Sequence, residues 1–264
     1  MSDFLAQFRH FTERVVSRFE QIMTETEAEA NKLLAHDPPH HEAIQRALDA
    51  VGQRLNGLKD KLFHAWHEHA PSIPDPALRR QGLAEAKSAV REMHDAAQRQ
   101  RVRLDAATAH AMWPRVLQAL TAPAPCDGCG ADLPRSDPLA MATLTCPHCG
   151  AVTQFVPDAI LKLFYPKMAE QLALARHIEL AMANKALYRA HQDWADEQQE
   201  LTGDRPEAAP HTVAEVRRRE AAYFATYLDE LSKLMPLTDD ERRQKLDAYI
   251  GARVERILAA PSLV

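Results

Sequence analysis

The sequence predicts a mainly α protein: an extended helical bundle built around an antiparallel coiled-coil hairpin, with a small β module inserted centrally. Three observations lead there. Apolar residues recur at alternating steps of four and three along most of the chain, the period of a helix with one buried face. Aromatics make up only 6% and glycines only eight of 264 residues, too few for the aromatic core and many tight turns of a sandwich or barrel. The seventeen prolines fall mainly between the periodic stretches, where a missing amide donor and a restricted preceding residue end helices.

The first stretch places Phe4, Phe8, Phe11, Val15, Phe19 and Ile22 on one face and stops at Asp37-Pro38-Pro39. Its charges are balanced, Arg9, Arg14 and Arg18 against Asp3, Glu13 and Glu20, so packing in a bundle fits it better than lying on anionic lipid. The second runs Ile44, Leu48, Val51, Leu55, Leu58, Leu62 and Ala65, ending at Pro71, Pro74 and Pro76. The third uses Leu83, Ala86, Val90, Met93, Ala97, Leu104, Ala107 and Ala111, small residues that suit close helix approach, and closes at Pro123 and Pro125. A fourth carries Met168, Leu172, Ala175, Ile178, Met182 and Ala186.

Pro206 and Pro210 precede the fifth helix and Pro236 the sixth. Thr212-Val213-Ala214-Glu215 and Thr238-Asp239-Asp240-Glu241 match the capping box, in which a hydroxyl and a carboxylate satisfy opening amides reciprocally. The expectation is six helices. Residues 1–122 form an N-terminal helical region of three, 123–157 a central module, and 158–264 a C-terminal helical region packing with the first. The third and fourth helices flank the module and pair antiparallel. Each contains an aromatic-proline step, Trp113-Pro114 and Tyr165-Pro166, which either starts a new helix or bends the arm that carries the module.

All four cysteines lie in the centre, in Cys126-Asp127-Gly128-Cys129-Gly130 and Cys146-Pro147-His148-Cys149-Gly150. Two residues between thiolates let a tight turn aim both sulfurs at one ion, and the glycine after each pair permits a left-handed backbone. The gap between the pairs fits two short strands and a loop. Four soft ligands in this spacing match a structural zinc site with no open coordination position.

Residues 124–157 resemble a zinc ribbon, built from two knuckles of the kind also seen in rubredoxins. That resemblance implies one structural Zn2+ per chain, held by Cys126, Cys129, Cys146 and Cys149, and no activity by itself. Three rivals stand beside it. Disulfides suit a secreted chain, and Met1-Ser2-Asp3-Phe4 opens without a secretion signal. A redox switch would eject the metal by oxidising thiolates. A rubredoxin-type iron would be expected against an aromatic cluster, where this segment offers Phe155 alone.

Charge bears on partners. The net charge of -5 argues against a protein made for nucleic acid in bulk. Within the ribbon, Arg135 stands alone against Asp127, Asp132 and Asp137, and a tetrathiolate zinc adds negative charge, so the module repels phosphate. The third helix is more basic, and Arg99, Arg101 and Arg103 could form a nucleic-acid stripe. Arg217-Arg218-Arg219, between Glu215 and Glu220, has the look of surface ion pairing. His64 and His67 lie one helical turn apart, as two metal ligands would, but no third is identifiable.

No glutamate is followed three residues later by histidine, which removes the di-iron pattern of rubrerythrins. No phosphate loop, GxSxG, HExxH or dinucleotide fingerprint occurs. The expected function is a non-enzymatic scaffold or adaptor in the cytoplasm, using Asp127, Asp132, Arg135 and Asp137 of the ribbon to contact a partner protein or a second copy. A nucleic-acid accessory protein acting through the third helix is the alternative, and an enzyme of unrecognised type the third possibility. Ser262-Leu263-Val264 has the shape of a strand-adding terminal peptide, though three residues are few for such a role.

Overall fold

The structure is a computed structural model that describes residues 2–36, 40–135, 137–203, 210–235 and 237–259. Among the described residues six α-helices, one 3-10 turn and four short strands follow in order: α1 Ser2–Leu34, α2 His41–His69, the turn Ala70–Ser72, α3 Pro76–Thr121, β1 Ala124–Pro125, β2 Asp132–Leu133, β3 Ala142–Thr145, β4 Val152–Phe155, α4 Ala159–Thr202, α5 Pro210–Leu234 and α6 Asp239–Ala259. Asp37-Pro38-Pro39, Pro206, Pro236 and Ser262-Leu263-Val264 lie outside the described residues.

Helix ends follow local chemistry. Asp75 caps α3 by accepting from the Ala77 amide at 2.8 Å, with Pro76 next, where a missing donor costs nothing. Asp158 caps α4 through the Ile160 amide at 2.9 Å. The predicted box at Thr238 forms: the Glu241 amide donates to the Thr238 hydroxyl at 3.2 Å, and the Thr238 amide to the Glu241 carboxylate at 2.8 Å. The predicted box at Thr212 does not open a helix. α5 starts two residues earlier, at Pro210, whose fixed φ suits a first turn, and Glu215 accepts from Arg218 and Arg219 instead.

α1, α2 and α3 form a three-helix bundle. Arg9 pairs with Glu85, the Gln100 amide donates to the Met23 carbonyl and Arg103 pairs with Glu27, so α1 runs parallel to α3. Arg101 to Asp49 and Trp66 over Gly82 set α2 antiparallel to both. A Cβ on Gly82 would stand 2.3 Å from the Trp66 ring, so the indole seats only against glycine. The predicted stripes supply the core, with Phe8, Val15, Phe19, Ile22, Leu55, Leu62, Val90 and Met93 buried. Removing each such side chain from water is worth about 1.5–3 kcal/mol. The phenylalanine face of α1 is thus spent on packing.

α3 then pairs with α4. Arg91 meets Asp193, Asp95 meets Arg189 and Arg99 meets Glu179, so positions rise on one helix as they fall on the other. The hairpin is antiparallel, as expected. Met112 and Val116 pack with Leu161, Tyr165, Met168 and Leu172 toward its tip. Two predicted core positions are wrong: Ala111 and Ala186 are exposed, and Ala107 is only half-buried. For the two alanines of α3 the cause is a change of partner, which does not extend to Ala186 on α4. Around residues 100–109 α3 touches α1, α2 and α4 together, so Gln100, Val102, Leu104, Asp105, Ala106, Thr108 and Ala109 are all buried and no single face survives.

Both aromatic-proline steps fall inside continuous helices, Pro114 in α3 and position 166 in α4, so neither begins a new helix. α5 and α6 complete a second layer on α4: Leu228 and Leu231 cover Ala169 and Ala173, and Tyr188, Val216 and Val254 bring all three helices together. No described helix is long and apolar enough to cross a membrane.

Candidate metal centre

The end of α3 and the start of α4 hold the central module between them. Its chain forms two antiparallel hairpins, β1 with β2 and β3 with β4. Ala124 pairs with Leu133, and Thr145 with Val152. Each hairpin turns at a cysteine pair, and the two turns are built alike. The Cys126 amide donates to the Ala131 carbonyl and the Cys146 amide to Ala151, at 2.9 and 2.8 Å. The Gly130 amide donates to the Cys126 carbonyl and the Gly150 amide to Cys146, at 2.8 and 3.0 Å. Gly130 and Gly150 take φ of 74° and 73°, the left-handed region that a side chain disfavours. The glycines foreseen after each second cysteine are therefore required by the turn.

These turns bring four sulfurs together. All lie within 4.8 Å of one another, with Cys126 to Cys149 at 3.5 Å and Cys129 to Cys146 at 3.6 Å. Four sulfurs each about 2.3 Å from one ion in a tetrahedron would stand about 3.8 Å apart. None is in a disulfide. The amides of Cys129 and Gly128 point at the Cys126 sulfur and bring its thiol down to about 6. At Cys149 the Ala151 amide also favours the thiolate, but the crowding sulfurs of Cys129 and Cys126 outweigh it and push the thiol up to about 12. Four thiolates at this separation need a cation among them. The donor set and the spacing fit a bound metal ion, and it is the one such cluster of histidine, cysteine and carboxylate among the described residues. His64 and His67 are exposed and belong to no such group.

Little apolar material supports the module. Ala124, Cys126, Leu133 and Cys146 form its buried apolar cluster, with Leu144 and Phe155 packed against them. Thr153, which the sequence did not single out, is buried and accepts from the Asp127 amide at 3.0 Å, tying the first knuckle to the second hairpin.

The four polar ribbon residues expected to face a partner divide. Asp127, Asp132 and Asp137 are exposed. Arg135 turns back: its guanidinium donates to the Leu120 carbonyl at 3.2 Å and to that of Ala122, and lies 4.8 Å from the centre of the Phe155 ring. Here a cation meets the carbonyl end of a long helix, where the macrodipole is negative. Arg135 fastens the ribbon to its stalk.

Arg99, Arg101 and Arg103 of α3 are each engaged by a carboxylate: Glu179 at 3.0 Å, Asp49 at 2.9 Å and Glu27 at 2.7 Å. They point to three different neighbouring helices and form no shared stripe. Arg218 and Arg219 pair with Glu215, which their guanidinium groups hold down to about 2. Glu220 is different from its predicted surface role. It is 2% exposed and accepts from Tyr188, from Tyr249 at 2.9 Å and from Asn184 at 3.3 Å, with Arg253 at 3.5 Å.

Two cavities accompany these groups. One, between α2, α3 and α4, is lined by His41, Gln45, Asp105, Lys167 and Gln171; its volume of about 10 Å3 holds one water and no substrate. The other, about 390 Å3, lies between α4 and α5 along Leu187, Trp194 and Val216. No family model, curated protein or solved structure matches the chain.

Proposed function

We propose that this protein is a non-enzymatic helical scaffold whose one zinc ion folds a protein-binding tip. The observation that carries this is the position and closure of the four-sulfur site, at the end of a two-helix stalk. Cys126, Cys129, Cys146 and Cys149 would hold the ion, and four thiolates leave no coordination position for substrate or water. What the ion supplies is folding free energy, of order 10 kcal/mol, to a module whose apolar cluster has four buried residues. Zinc suits a tetrahedral all-sulfur set, and the single nearby ring, Phe155, is taken up by Arg135. Asp127, Asp132 and Asp137 give the tip a negative surface.

The test is metal analysis joined to one variant. Purified protein should carry one zinc per chain. Cys129→Ser should lose it, keep its helical circular dichroism, and no longer retain in affinity capture the proteins that the intact chain retains. Absence of stoichiometric zinc, or capture indifferent to Cys129→Ser, removes the proposal. Binding of nucleic acid through α3 is the less supported reading, because the guanidinium groups of Arg99, Arg101 and Arg103 are already neutralised. An absence of any low-salt mobility shift would dispose of it.

A further inference from the structure

Deepening the tip reading and resting on it, we infer that the outward face of the β3–β4 hairpin is the docking surface, and that its partner is a protein patch combining apolar side chains with net positive charge from Lys or Arg.

The register fixes that face. Side chains alternate along a strand, so residues directly paired share a side. Leu144 pairs with Thr153 and Ala142 with Phe155, and these point inward over the cysteines. Thr145 pairs with Val152 and Thr143 with Gln154, and these point outward. One step further along the same alternation come Met141 and Val156. All six outward residues are exposed. Met141 is 66%, Val152 60% and Val156 58% exposed, the three highest values among the large apolar side chains of the described residues. Thr143 and Gln154 hydrogen-bond to each other at 2.9 Å between them, so their polar groups are partly satisfied within the face. Exposed apolar side chains at both ends of this face, on either side of the Thr143–Gln154 pair, are the kind of surface that a protein interface covers.

Charge selects the occupant. The ribbon has one basic residue, and the structure withdraws it: Arg135 is spent on the Leu120 and Ala122 carbonyls. What remains at the surface is Asp127, Asp132 and Asp137, and a tetrathiolate zinc adds to the negative field. Two such tips would repel each other, which disfavours a second copy. Anionic membrane and nucleic acid are disfavoured for the same reason. A partner that joins apolar contacts to net positive charge matches both the exposed apolar residues and the negative field of the module.

A phage library of random dodecapeptides, panned on immobilised zinc-loaded full-length protein, tests this. Enriched peptides should combine apolar residues with net positive charge and lose affinity as salt rises. Val152→Lys should weaken them by about tenfold or more, by inserting a like charge into an apolar contact. Lys substituted at Leu180, exposed on α4, should leave them unchanged. Asn at Asp127, Asp132 and Asp137 together should weaken them and flatten the salt dependence. Neutral or acidic consensus sequences, no enrichment, or indifference to Val152→Lys overturn the inference. A dimer in sedimentation that Val152→Lys dissolves, or flotation with phosphatidylserine vesicles that it abolishes, assigns the face to another occupant and also overturns it. Binding that needs Cys129 but ignores Val152 sinks this face and spares the zinc-folded tip; binding that ignores both sinks the tip itself.

Discussion

The ribbon and the helical body it stands on are stabilised by opposite means. The body buries long apolar rows, from Phe8 to Trp66 in the first bundle and from Met112 to Leu172 along the hairpin. The ribbon buries a handful of residues, two of them cysteines, around four sulfurs positioned to bind a metal ion. One region is built on extended apolar cores; the other is a candidate coordination site with a thin apolar lining. Their failures should therefore be separable.

Chelation should give the largest separation. Removing the metal should abolish amide exchange protection across residues 124–155 while leaving protection in α1–α3 and α4–α6; simultaneous loss in both would show that the two regions are one cooperative unit. Next in size, Leu62→Ala opens a cavity in the first bundle and should cost about 2–5 kcal/mol in chemical denaturation with unchanged metal content. Asp95→Asn strikes the hairpin. It removes the carboxylate that Arg189 and Lys185 share in a partly buried site and should cost about 2 kcal/mol.

The same carboxylate gives a pH signature. Burial raises the Asp95 pKa, but Arg189 and Lys185 outweigh it and the net displacement is downward. Its stabilisation is thus present above the ordinary aspartate range and fades as pH falls through its folded value. Wild type should lose more hairpin stability than Asp95→Asn on acidification below about pH 4. Arg135→Met is the smallest change: zinc should stay, with about 1 kcal/mol lost and faster exchange at Leu120 and Ala122, because only the fastening between the regions is cut.

How far each region was legible follows from what stabilises it. Metal geometry demands fixed intervals, so Cys126, Cys129, Cys146, Cys149 and their trailing glycines announce the site in one line of sequence. α1 and α2 were readable because each offers one face to one neighbourhood. The middle of α3 was not: surrounded on several sides, it carries no dominant stripe, and Ala107 and Ala111 were placed by extending a period that had ended. Glu220 was hidden by context, since three arginines beside it suggest solvent, whereas Tyr188 and Tyr249 arrive from other helices. Arg135 was hidden likewise, because its acceptors belong to the end of α3, thirteen and fifteen positions earlier.

α3 is unbroken for 46 residues and shared between the first bundle and the ribbon's base. At about 1.5 Å per residue it is a ruler of about 70 Å. Whatever grips the far end is consequently held at a set reach from whatever meets the opening bundle, and inserting or deleting a turn of α3 with its match in α4 would change that reach in steps of about 5.4 Å.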